Sequence, residues 1–212
     1  MFDFNCDTAQ CYGVYKNDNE LELAKYMSTI NVSAGFHAGD PVNIRKSLLF
    51  ASENNVALSA HVGYPDIQGF GKRKMNLSTE ELQATVIYQL GAIISYAKTF
   101  DLELEAIRCH GALKDDINEN EQIALCVAEA VKKINPWLNI IVQNPNIKEL
   151  LEQNGYKAAY EVDFKENTSI REIREMAIKP DTIHFRTLDE AKRAYDIIKP
   201  TPINYNRVQG QI

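Results

Sequence analysis

The chain has 212 residues, 23 Lys+Arg against 29 Asp+Glu for a formal net charge of −6, and a composition 45% hydrophobic and 25% charged. That balance excludes a disordered tail or a collagen-like repeat, and the acidic surplus leaves no basic stripe to displace counterions from nucleic acid. The longest uncharged run, Leu82 to Ala97, is broken by Gln83, Gln89 and Ser95 and falls short of the ~20 apolar residues of a membrane span.

Short apolar runs alternate with helical patterns along the whole chain. Strands are predicted at Phe2–Cys6, Ile30–Ala34, Ala57–Ala60, Ala106–Cys109, Asn139–Val142, Ala158–Val162 and Thr182–Phe185. Apolar spacing near 3.6 predicts helices at Leu21–Ser28, Asn43–Glu53, Thr79–Lys98, Glu121–Ile134, Ile147–Gln153, Ile170–Ala177 and Asp189–Ile198. Asp40-Pro41 offers a capping carboxylate before a first-turn proline, and Ser78 stands three residues before Glu81 as in a capping box. Asn154-Gly155 reads as a left-handed helix stop.

Strands alternating with helices imply right-handed crossovers and a parallel sheet. Seven strand signals without GxGxxG or GxxxxGK[ST] favour a closed (β/α) barrel over an open doubly wound sheet. One domain over residues 1–212 is expected, because α/β barrels of this length form single domains. The N-terminus, Met-Phe-Asp-Phe-Asn-Cys-Asp, has neither the basic region nor the apolar core of an export signal. A cytoplasmic location follows as the expectation, with Cys6, Cys11, Cys109 and Cys126 as reduced thiols, none of them in a CxxC pair.

In such a fold chemistry sits where strands end and helices begin. The first strand ends in Asn5-Cys6-Asp7 and the second runs into Gly35-Phe36-His37-Ala38-Gly39-Asp40-Pro41. The third gives His61-Val62-Gly63-Tyr64-Pro65-Asp66 and continues to Gly69-Phe70-Gly71-Lys72-Arg73; the fourth ends in Arg108-Cys109-His110 and the fifth in Gln143-Asn144. Each residue alone has a plain structural reading, such as a helix cap at Asp40. Their recurrence at successive strand ends points to one polar pocket. Imidazoles and carboxylates can hold a divalent metal that activates water. Without metal, a carboxylate can take a proton from water while an imidazolium, Lys72 or Arg73 steadies an oxyanion. Both describe hydrolysis of a carbonyl-type bond.

Asp3-Phe4-Asn5-Cys6-Asp7, the stretch from Asn31 to Pro41, and Ala60 to Asp66 closely resemble the LamB/YcsF family, whose members are understood as the A component of the prokaryotic 5-oxoprolinase. Gly69–Arg73, Tyr88–Ala92 and His110–Leu113 follow in that family's order. The resemblance implies a seven-stranded (β/α) barrel of the glycoside hydrolase/deacetylase type. It also implies ATP-dependent opening of 5-oxoproline (pyroglutamate) to L-glutamate with partner subunits B and C; a homo-oligomer stays open. By similarity to related deacetylase barrels, Asp7, His37 and His61 are expected as ligands of a divalent metal or as catalytic groups. Asp40 and Asp66 are then catalytic base or orienting candidates, and Asn5, Lys72, Arg73, His110 and Gln143 bind substrate or phosphate.

Departures accompany the match. Gln10 stands where the family has an acidic residue, Ala34 where it has cysteine, and Asp181-Thr182-Ile183 leads to His184-Phe185-Arg186 rather than to His-Gly-Asp. A metal-dependent amide or sugar deacetylase, and a ligand-binding homologue without catalysis, therefore stand as alternatives.

Overall fold

The computed structural model describes residues 2–12 and 19–203, and within them seven parallel strands close into one barrel in chain order. They are β1 (Asp3–Thr8), β2 (Thr29–Ser33), β3 (Ala57–Val62), β4 (Leu104–Cys109), β5 (Asn139–Val142), β6 (Ala158–Asp163) and β7 (Thr182–His184). Each coincides with a predicted apolar run to within two residues at either end. Closure places Asn5 of β1 opposite Thr29 on one side and His184 on the other.

The surrounding helices are α1 (Glu20–Ala24), α2 (Pro41–Asn54), α3 (Thr79–Ala97), α4 (Gly111–Glu119), α5 (Glu121–Ile134), α6 (Pro145–Gln153), α7 (Ile170–Glu175) and α8 (Leu188–Tyr195). The cap signals hold. Asp40 accepts from the Val42 and Asn43 amides ahead of Pro41, Ser78 and Glu81 form a reciprocal capping box, and Gly155 takes a φ of +79° after α6. Helix α1 is shorter than its apolar pattern, because Tyr26 and Met27 bond three residues back to Leu23 and Ala24 and tighten the turn into β2. Helix α4 escapes the periodicity argument. Its sequence GALKDDINE has few apolar residues and begins at Gly111 with φ +55°, so it reads as loop.

The strands alternate sharply between two faces. Phe4, Cys6, Ile30, Val32, Leu58, Ala60, Val62, Ile107, Ile140, Val142 and Ile183 point outward into the apolar core shared with the helices. There Leu48, Val86, Leu90, Val127, Leu151 and Ala191 meet them, each large buried aliphatic side chain contributing about 1.5–3 kcal/mol by leaving water. Inside the barrel lie polar groups from β1, β2, β3, β4, β6 and β7, with a small apolar patch of Ala106, Ile141 and Ala159. Most of this buried polar interior is hydrogen-bonded, with Asn31 Oδ1 and Ser59 Oγ among the few buried atoms of the described residues left without a partner. At its base Asp3 accepts from Ser28 Oγ and Thr29 Oγ1 at 2.6 Å each and from Thr182 Oγ1. Burial raises its carboxyl to about 6 despite those hydroxyls.

Candidate active site

The C-terminal ends of the strands open into a cavity of about 790 Å³ whose wall includes Asp7, Lys72, Arg108, His110, Lys114 and His184. Asp7 ends the inward row of β1 and is the hub. Its Oδ1 accepts from Asn31 Nδ2 at 3.0 Å and Arg108 Nη1 at 3.2 Å, and its Oδ2 from Gln10 Nε2 at 3.2 Å. The same Oδ2 lies 3.3 Å from His61 Nε2 and 3.7 Å from His184 Nε2. Burial works to raise the Asp7 carboxyl, but Arg108, then His61 and His184, outweigh it and hold it well below the usual carboxylate range. Gln10, neutral where the family pattern is acidic, serves as a donor to this carboxylate.

Arg108 spans the floor from Asp7 to Glu161. Its Nε and Nη2 both donate to Glu161 at 2.8 Å, the fork-to-carboxylate geometry that makes such pairs strong. Burial opposes the charge of each partner. Arg108 nonetheless keeps Glu161 down at about 2, and Asp7 and Glu161 raise the guanidinium above its ordinary value. Asn5 donates to Glu161 and Thr182, and Gln143 donates to Glu161 at 2.9 Å and Asp163 at 3.2 Å. These two predicted substrate binders therefore face the site through its internal network.

Three of the histidines gather at one edge. Candidate ligand atoms of His37, His61 and His110 lie within 4.8 Å of one another. His61 Nδ1 bonds the Arg108 carbonyl at 3.1 Å, His110 Nε2 bonds the Phe70 carbonyl at 2.8 Å, and the remaining nitrogens of these two rings face each other at 3.0 Å. Burial and then the neighbouring His61 push His110 down to about 3, and burial with His61 and His110 takes His37 well below its ordinary value. The fourth histidine, His184, gives Nδ1–H to Asn5 Oδ1 at 2.8 Å. That bond leaves Nε2 as the bare nitrogen toward Asp7. Burial and Arg108 lower His184 to about 4, against the pull of Asp7 and Glu161.

The remaining predicted residues sit apart from this centre. Asp40 is spent on the α2 cap and borders a second groove outside the barrel. Asp66 binds its own loop, accepting from the Gly69 amide at 2.9 Å, from Arg73 Nε at 2.9 Å and from Arg73 Nη2. Arg73 holds the Asp66 carboxyl down at about 2. The predicted oxyanion role of Arg73 gives way to this clamp. The clamped loop carries Lys72 to the cavity and delivers the Phe70 carbonyl to His110. Gly71 lies so close that an added Cβ would come within 2.8 Å of both His37 and His110.

Sequence motifs do not single out Arg108, Glu161 and His184 as site residues. The signal available is alternation, since Thr182-Ile183-His184 and Ala159-Tyr160-Glu161-Val162-Asp163 place polar residues at every second position of a strand.

The expected divalent metal can be tested against these donors. The His37 and His110 rings stack with centroids 4.0 Å apart and planes 9° from parallel. Ring lone pairs lie in the plane of the ring, so these two cannot meet at one ion. His37 Nε2 contacts Ser33 Oγ at 3.3 Å, while a Cβ on Gly63 would sit 2.6 Å from its Nδ1. Asp7 is already matched by the Arg108 guanidinium, a positive charge beside any incoming cation. As arranged, His37 and His110 do not share one ion, although His37 Nδ1 is buried without a hydrogen-bond partner, whereas Asp7 Oδ2, His61 Nε2 and His110 Nδ1 converge at 3.3 and 3.0 Å about His61 Nε2, and both of those rings give their other nitrogen to a backbone carbonyl, as metal-ligating imidazoles do.

Among curated relatives, the 5-oxoprolinase A component of Pyrococcus abyssi is 37% identical over 161 residues, which is 76% of this chain and 63% of the relative. Its namesake in Campylobacter jejuni subsp. doylei is 39% identical over 163 residues, again 76% and 63%. The chain thus spans somewhat under two thirds of the length of the relatives it matches. The crystal structure of a lactam utilization protein from Thermus thermophilus superposes with a TM-score of 0.82 at 26% identity, covering 99% of this chain and 97% of that one. The model of the LamB/YcsF family matches residues 2–176, so the chain belongs to the LamB/YcsF family.

Proposed function

We propose that the barrel cavity opens a cyclic amide of the 5-oxoproline type, coupled to ATP and in company with partner subunits B and C. The observation that carries this reading is Asp7 Oδ2 on the cavity wall, between the Nε2 atoms of His61 and His184 at 3.3 and 3.7 Å. The similarity to proteins named for 5-oxoprolinase and for lactam utilization supports the choice of substrate.

A five-membered lactam is an unstrained amide, so its carbonyl needs activation. Transfer of a phosphoryl group from ATP to the lactam oxygen makes the ring carbon electrophilic. Water then adds, the C–N bond breaks with a proton moving to nitrogen, and a second water releases phosphate from the acyl phosphate. His184 Nε2, fixed as the bare nitrogen by Asn5, takes the proton of the attacking water. Arg108 and Lys72 supply positive charge to the oxygens that gain negative charge. The test is glutamate release from 5-oxoproline by the chain assembled with its partner subunits. Turnover that requires ATP and falls in Asp7→Asn and His184→Gln is expected; an intact complex without turnover overturns the reading.

A further inference from the structure

We infer that Lys114 sets the substrate specificity of the cavity, its ammonium holding the carboxylate that a lactam of the 5-oxoproline type carries beside its ring nitrogen. The assignment rests on the lactam-opening reading above. It makes the cavity a site for acidic lactams and a poor one for neutral rings of the same size.

Elimination among the cations around the cavity leads to this residue. Arg108 is committed to Asp7 and Glu161, and Arg186 donates to Asp163 Oδ2 at 3.1 Å. On the adjoining loop, Arg73 closes on Asp66, and Lys74 Nζ lies 2.6 Å from Asp116 Oδ1. Among the described residues that line the cavity, Lys72 and Lys114 are the ammonium groups without a carboxylate at hydrogen-bond distance. Lys72 is exposed and meets the Phe70 ring, 5.7 Å from Nζ. Lys114 has only 21% of its side chain exposed, and its nearest carboxylate is the exposed Asp115 at 3.6 Å. A cation drawn partly out of water beside a cavity attracts an anion more strongly than one in solvent does.

The wall around Lys114 is fixed. The Ala112 amide donates to the Gly71 carbonyl at 2.9 Å, and Lys74 Nζ and Tyr64 Oη each reach Asp116 at 2.6 Å. These ties fasten the loop after β3 to the start of α4, so Lys72 and Lys114 stand at one corner of the cavity. The substrate brings what that corner lacks. A 5-oxoproline-type lactam has one charged group, its carboxylate, and ring opening does not consume it. It needs a counter-charge that takes no part in the chemistry. Arg108 already answers two carboxylates, and Lys72 serves the oxygens that gain charge. Lys114 pairs with the carboxylate equally before and during ring opening, an interaction that lowers KM without raising kcat.

Steady-state kinetics of the chain assembled with its partner subunits test this, with 5-oxoproline and ATP varied in turn. Lys114→Met is expected to raise the KM for 5-oxoproline about 10- to 100-fold, as loss of a charge-assisted hydrogen bond does, with kcat and the KM for ATP kept. Lys114→Arg recovers most of the loss and Lys114→Glu deepens it, an order that a purely structural role would not produce. An unchanged KM for 5-oxoproline in Lys114→Met overturns the proposal and leaves the lactam reading in place. So does a fall in kcat or a rise in the KM for ATP in its stead, which moves the lysine to the phosphoryl group. An intact wild-type complex without turnover is a separate result, and it overturns the lactam reading together with this assignment.

Discussion

Arg108 is the residue on which the interior charge rests. Its guanidinium answers two buried carboxylates, Asp7 and Glu161, so Arg108→Met strands both. Loss of one partner from a buried ion pair costs about 3–5 kcal/mol, and denaturant unfolding is expected to show a loss of that size. Arg108→Lys recovers only part of it, since an ammonium cannot reproduce the fork to Glu161. Asp7→Asn keeps the side chain's shape but removes the carboxylate between the His61 and His184 rings. Its turnover with 5-oxoproline, ATP and partner subunits is expected to fall by at least ~100-fold, the usual scale of general acid–base catalysis, while its stability falls less than in Arg108→Met, because Glu161 still answers the guanidinium. The sequence makes Asp7, His61 and His110 visible because each ends a strand beside a recognisable turn. It conceals Arg108, Glu161 and His184, whose partners lie 53 to 179 positions away and meet only when the sheet closes.

At the scale of elements, the turns are more legible than the duties of their side chains. Ser78 caps α3 as its spacing from Glu81 foretells, and Ser78→Ala is expected to lower stability by about 1 kcal/mol in thermal or denaturant melts. Asp40 and Asp66 carry the same residue type as a catalytic base, yet both are consumed locally by amides and by Arg73. One-dimensional spacing cannot tell a carboxylate aimed at a cavity from one folded back on its own loop. The loop from Asp66 to Arg73 matters through its backbone. Gly71 takes φ +66°, and an added methyl would press on His37 and His110. Gly71→Ala is thus expected to disturb the His110 ring signals and reduce turnover well beyond its cost of about 1–3 kcal/mol in stability.

For the whole molecule, the alternation of apolar and polar residues in each strand announces a barrel, but the polarity of its inside emerges only once the faces are known. That inside governs the response to acid. His37, His110 and His184 are held below their ordinary value, so the unfolded chain binds protons that the fold refuses as pH drops below about 6.5. Asp3, raised to about 6, works the other way between about pH 6 and 4. Three losses against one gain leave a net of about two protons, a slope of roughly 3 kcal/mol per pH unit near pH 5. The depressed Asp7 and Glu161 carboxyls extend the loss below about pH 4. Chemical denaturation at a series of pH values checks it. A flat profile between pH 7 and 5 would contradict the neutral state assigned to these three rings.

Closure of β1 on β7 also sets the order in which the protein can be made. Asp3 pairs with Thr182 and Asn5 with His184, so a ribosome must release nearly the entire fold before the first strand finds its second neighbour. Until then two unpaired sheet edges and a half-formed charged interior stand open to water and to other chains. Contacts this distant in sequence slow folding. The nascent chain is accordingly most vulnerable to aggregation and to chaperone capture just before His184 emerges, and the final strand acts as the latch that assembles the site and seals the edges in a single event.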